Sequence, residues 1–139
     1  MTDGQGYMLD TETSAAILRG SDAAVMERLS RVAVGEVSIS AVTLSELMHG
    51  VEVSRRTAQD RAALEVFLRY VRVLEYSSAA AEHYGMVRMV LELCEVQLDP
   101  HELLGAAHAR CLGMTLVSAK ARAIAQVHGM VVESWVGNA

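Results

Sequence analysis

Short apolar runs separated by helical stretches recur along the whole chain, and this alternation constrains the fold more than any other feature. Tyr7-Met8-Leu9-Asp10 is an apolar run closed by an acid, and Val37-Ser38-Ile39-Ser40 alternates with the period of a strand. Val71 to Glu75 and Met114 to Val117 read as strands too, and Met130 to Glu133 as a weaker last one. Between them lie helical patterns at Thr11 to Leu18, Ala23 to Val34 (with Gly35 as its C-cap) and Val42 to Val51. Further helices are expected at about Ala62 to Tyr70, from Ser77 or Ser78 towards Cys94, and at about Ala121 to Val127, with Arg55 to Asp60 as a polar loop. Strands joined through helices run parallel and need cover on both faces. The expected fold class is therefore α/β, a central parallel sheet with helices on both faces, in one domain over residues 1–139.

The most sharply specified helix is Asp99-Pro100-His101-Glu102-Leu103-Leu104-Gly105-Ala106-Ala107-His108-Ala109. Asp99 suits the N-cap, Pro100 the first helical position and Glu102 the third, the acidic partner of a capping box. Small residues follow, which lets this helix lie close to a sheet, and Gly113 ends it. Glu102 has two possible jobs: capping its own helix, or serving as one carboxylate of a site assembled from distant segments.

Aromatic residues make up only 4% of the 139 residues while hydrophobic residues make up 52%, so the core rests on Ala, Val, Leu and Met. Met1 to Gly6 lacks a basic start followed by an apolar segment, and no apolar run has the length to cross a bilayer, so a cytoplasmic protein without a membrane role is expected. Cys94 and Cys111 show no metal-ligand spacing and read as buried free thiols. A net charge of −5 gives no general footprint for nucleic acid. Arg55, Arg56 and Arg61 form the densest local basic group, which serves equally as a solvated face.

In an open parallel sheet, ligands bind beyond the carboxyl ends of the strands. That places Asp10, Glu12, Glu46, Glu102 and Lys120 in one neighbourhood. Clustered carboxylates are unfavourable unless a cation or protons neutralise them, and their oxygens suit Mg²⁺ or Mn²⁺. Each also has a plainer role: Asp10 as a turn acid, Glu46 as a hydrogen-bonded structural acid beside Leu44 and Leu47. His101 is near enough to Glu102 to meet a substrate, whereas His49, His83 and His128 have no evident partner. Nucleophile-elbow, P-loop and paired-cysteine motifs are absent.

Met8-Leu9-Asp10-Thr11, the run from Ile39 to Glu52, Leu103 to Ala109 and Thr115-Leu116-Val117-Ser118 resemble the PIN-domain toxins of the VapC family. The resemblance extends through Ala79 to Gly85 and the ending Gly129 to Trp135, in the same order. It implies a PIN fold, commonly a homodimer, whose acids hold Mg²⁺ or Mn²⁺. It further implies an endoribonuclease that cuts structured RNA, with transfer RNA the expected target, and a VapB-type antitoxin as partner. Asp10 matches the family's first acid and Glu46 its second. Glu102 stands where the third is normally Asp, and Lys120 falls where Asn or Asp usually follows, near Ser118. Glu12 replaces an Asn two residues after the first acid. Asp10, Glu46 and Glu102 are thus the implied metal ligands, with Thr11, Glu12, Ser118 and Lys120 as accessory residues.

The last two departures look coupled, because one adds a negative and the other a positive charge. A Glu12–Lys120 ion pair is expected, or Lys120 donating directly to Asp10 or Glu46. Lys120 then either impairs metal binding, leaving a PIN-fold protein that keeps antitoxin or RNA binding, or stabilises a phosphate during cleavage. Asp10-Thr11-Glu12-Thr13 also loosely resembles the opening of haloacid-dehalogenase phosphotransferases, but their later acidic pair is missing.

Overall fold

The computed structural model describes residues 6–137; residues 1–5, which include most of the polar stretch read from Met1 to Gly6, and 138–139 lie outside it. Five strands, β1 (Tyr7–Leu9), β2 (Val37–Ser40), β3 (Arg72–Leu74), β4 (Thr115–Val117) and β5 (Val131–Glu133), form one sheet in the order β3-β2-β1-β4-β5. Every pairing is parallel, as the helical connections require. The intervening helices are α1 (Thr11–Arg19), α2 (Ala23–Ser30), α3 (Ala41–Glu52), α4 (Thr57–Phe67), α5 (Ser78–Leu93), α6 (Pro100–Leu112) and α7 (Ala121–Ile124). No helix among the described residues is long and apolar enough to cross a membrane.

Alternation along β1 divides the core. Leu9 joins Val25, Ile39, Leu47, Phe67, Val117 and Trp135 on one face, while Met8 joins Val87, Leu91, Ala106, Ala109, Leu116 and Ile124 on the other. Each fully buried Leu or Ile contributes about 1.5–3 kcal/mol relative to exposure, so both faces hold the sheet. Ala106, Ala107 and Ala109 are fully buried, so α6 turns a face of small side chains to the core. On the other face Arg28 of α2 lies over the Tyr7 and Trp135 rings, 5.6 Å and 5.2 Å from their centroids, and bridges Glu133 at 2.7 Å. The Trp135 indole N–H donates to the same carboxylate at 2.8 Å.

Several boundaries differ from expectation. The helix expected to reach Val34 stops at Ser30, because Arg31 and Val32 hydrogen-bond three residues back and Gly35, at φ 101°, belongs to a left-handed turn rather than to a helix cap. The next helix begins at Thr57, inside the stretch read as loop, and ends at Phe67. Its start is set by Ser54, whose Oγ accepts from the Arg56 N–H at 2.9 Å and donates to Asp60. The last short helix ends at Ile124 rather than Val127. Cys94 is exposed at the end of α5 and Cys111 is half-buried; both are free thiols.

Candidate active site at the carboxyl edge of the sheet

Register fixes the site. Leu9 pairs with Ile39 and with Val117, so the residues that follow, Asp10, Ser40 and Ser118, emerge together at one edge of the sheet. Asp10 is the N-cap of α1; its Oδ1 accepts from the Thr13 N–H at 2.8 Å, and its own N–H donates to the Val117 carbonyl at 3.0 Å. Burial pushes its carboxyl above the usual carboxylate range, and the nearby Glu102 charge adds to that. Hydrogen bonds from Thr13 and Ser118 pull the other way.

Glu102 reaches the same place from α6. Its Oε1 accepts from the Asp99 N–H at 2.8 Å, the side-chain half of the expected capping box, and α6 starts at Pro100 and ends against Gly113, at φ 67°, as read from the sequence. Asp10, Thr11, Thr43, His101, Glu102, Gly105 and Ser118 line one narrow cavity. Glu102 therefore caps its helix, as its spacing allowed, and lines the same cavity as Asp10.

Lys120 completes the arrangement in a way that corrects the expected pairing. Its Nζ lies 3.0 Å from each carboxylate oxygen of Glu102, rather than on Glu12, Asp10 or Glu46. The pairing follows from backbone placement: the Lys120 N–H donates to Ser118 Oγ at 3.0 Å, which sets the side chain beside the first turn of α6. Glu102 holds the ammonium above its ordinary value, with Glu12 and Asp99 adding attraction at longer range. Glu12 itself is exposed on the first turn of α1.

Glu46 is also exposed. It lines the neighbouring hollow with Thr11, Leu18, Arg19, Arg56 and Asp60, so Thr11 is the wall shared by the two depressions. Among the described residues no three His, Cys, Asp or Glu side chains are spaced to hold one metal ion. Asp10 and Glu102 line the same cavity, and their oxygen donors suit a hard divalent cation. Thr13 and Thr43 were not singled out in the sequence. Thr13 was discoverable as the third residue after an N-cap, and Thr43 as the residue one helical turn before Glu46 on the same face. Of the basic group, Arg61 bridges Glu52 at 2.9 Å and Arg56 lies 3.6 Å from Asp60, which makes them a paired, solvated face.

Six residues further along α6, His108 is buried and its Nδ1 lies 2.9 Å from Ser40 Oγ. Ser40 Oγ also accepts from the Val42 N–H at 3.1 Å, which joins the start of α3 to this contact. Burial holds this imidazole below its usual value, in the neutral form. His83, for which the sequence offered no partner, contacts Arg110 Nη1 at 2.8 Å through Nδ1, and Arg110 Nε donates to the His128 carbonyl at 2.8 Å.

Comparison with known proteins agrees with this fold. Residues 7–129 match the family model described as the PIN domain. The chain is 34% identical over 129 residues to the tRNA(fMet)-specific endonuclease VapC of Shigella flexneri, covering 93% of this chain and 97% of that protein. It is 30% identical over 130 residues to ribonuclease VapC2 of Haemophilus influenzae, covering 94% and 98%. Among solved structures, the DNA-bound VapBC of Salmonella typhimurium superposes with a TM-score of 0.83 at 29% identity, over 94% of this chain and 98% of that one. By sequence and fold, the chain belongs to the PIN-domain family, among its VapC members.

Proposed function

We propose that this chain is an endoribonuclease toxin that cleaves structured RNA, with transfer RNA as the substrate class, and that a VapB-type antitoxin silences it in the cytoplasm. The observation that carries this reading is that Asp10 and Glu102 line one cavity at the carboxyl edge of the sheet in a chain 34% identical to a tRNA(fMet)-specific endonuclease. Asp10 and Glu102 would hold Mg²⁺ or Mn²⁺, with Glu46 adjoining across Thr11. The ion, when bound, supplies Lewis-acid chemistry, neutralising charge on a phosphodiester and lowering the pKa of water. Thr13 and Ser118 orient the Asp10 carboxylate, and His101, which lines the same cavity, would meet the substrate.

An apolar groove of about 450 Å³, lined by Leu18, Leu29, Val34, Val66, Phe67 and Tyr70, supports the antitoxin part of the reading. It lies between α1, α2 and α4, and Val34 is 76% exposed and Tyr70 58%. Two copies of the chain are expected to form the working unit, which light scattering tests. The functional test is cleavage of a transfer RNA pool by the purified chain, with and without chelator. Cleavage that survives chelation, or that Asp10→Asn leaves intact, overturns the reading. The Lys120–Glu102 pair favours a second reading, a PIN-fold protein that binds antitoxin or RNA without metal-dependent cleavage. No cleavage at any divalent concentration, with RNA binding retained, selects it.

A further inference from the structure

Lys120 is the only lysine in the chain, and it is spent on Glu102. The Glu102 side chain is 8% exposed, and both of its oxygens are taken: Oε1 by the Asp99 N–H and the ammonium, Oε2 by the ammonium. The Lys120 side chain is 41% exposed, so it has an open route to solvent, whereas the carboxylate does not. Its charge also faces Glu12 and Asp99, so one flexible cation serves a group of acids that would otherwise repel. A divalent ion seeking Glu102 meets an occupied ligand and a like charge.

We propose that Lys120 is a tethered counter-ion of the site: it occupies Glu102 in place of a divalent cation, must swing out for one to bind, and thereby sets the divalent-cation affinity. The proposal rests on the reading of Asp10 and Glu102 as cation ligands. It differs from simple loss of function because the exchange is reversible and leaves the ligands intact. Weak affinity is then a property of the competing ammonium, which one substitution removes.

The test uses the full chain and Mn²⁺, with free ion measured by electron paramagnetic resonance. Lys120→Met keeps the length of the side chain and removes its charge, and is expected to bind Mn²⁺ at least about tenfold more tightly than the parent. Lys120→Gln is expected to show the same direction and serves if the Met variant folds poorly, while Lys120→Arg stays near the parent. Because the lysine is unique, ¹⁵N-lysine labelling gives one side-chain signal. Titration with Mg²⁺ should move it to the position of a solvated lysine. Equal Mn²⁺ affinity in the parent and in both neutral variants overturns the counter-ion role while leaving the cation site standing. No Mn²⁺ binding by parent or variants overturns the cation site and this proposal together. An Nζ signal unmoved at saturating Mg²⁺ overturns the displacement.

Discussion

Helix α6 carries two polar constellations about 9 Å apart along its axis, and they are built on opposite principles. Around His108 the polar groups carry no surplus charge: Val42 donates to Ser40, and the Ser40 hydroxyl meets His108 Nδ1. At Glu102, charges outnumber their partners, with Asp10 and Glu102 facing one cavity and a half-exposed ammonium attending one of them. A satisfied neutral network in a buried position locks elements together, here β2, α3 and α6. A buried group with surplus like charge costs stability and persists where an exchangeable cation or substrate serves it. The same helix thus holds a structural pin and a chemical site, and charge balance separates them.

Substitutions can break that contrast. The largest effect is expected from Asp10→Asn, which keeps an N-capping side chain but removes a carboxylate. RNA cleavage should fall by about 100-fold or more, the scale of losing one electrostatic contributor to a transition state. The folded state should be no less stable at neutral pH, because burial of the Asp10 charge opposes folding above its raised pKa. A loss of activity that tracks a lowered melting temperature would place Asp10 with the structural pin instead.

His108→Ala should behave the opposite way. It empties a buried position and leaves Ser40 unpaired, so a loss of about 2–4 kcal/mol is expected in denaturant unfolding, with cleavage per folded molecule retained. The pH dependence sharpens the point. The folded-state imidazole titrates below its ordinary 6.5, so its contribution is fully present above 6.5 and is lost as pH falls from there through the folded value. Unfolding midpoints should decline over that window in the parent and far less in His108→Asn. The smallest effect belongs to Tyr76, whose ring meets His108 edge-on at 5.4 Å while its buried hydroxyl has no partner among the described residues. Tyr76→Phe removes that hydroxyl and should leave stability unchanged or raise it by up to about 1 kcal/mol. A marked loss would show the hydroxyl to be part of the pin.

Much of this architecture is legible in the sequence because it is encoded locally. Alternating strand and helix periods dictate a parallel sheet, and Asp10, Ser40, Ser77 and Asp99 each announce a helix start by a side chain that accepts a backbone N–H or by the proline that follows. The misplaced boundaries have local causes too, but weaker ones: residues 31–36 and 54–57 close through three-residue turns and serine side chains that leave the apolar period unchanged. The partner of Lys120 is a different matter. Glu12, Asp10, Glu46 and Glu102 all lie near one sheet edge, and the choice among them depends on where Ser118 anchors the backbone, which no spacing reveals. Cys94 escaped for a similar reason, since the helical period places it on a face without saying that the helix ends there.

The cluster of Arg28, Tyr7, Glu133 and Trp135 has a practical consequence. Trp135 is the only tryptophan in the chain and lies on the face of the sheet away from α6. Its fluorescence, tuned by a guanidinium 5.2 Å away and a carboxylate on its indole N–H, is therefore a spectator of one layer alone. Circular dichroism is dominated by helices on both faces. If emission and ellipticity change at the same denaturant concentration, the two layers come apart as one cooperative unit; if emission lags or leads, the sheet is a seam along which the molecule opens in stages.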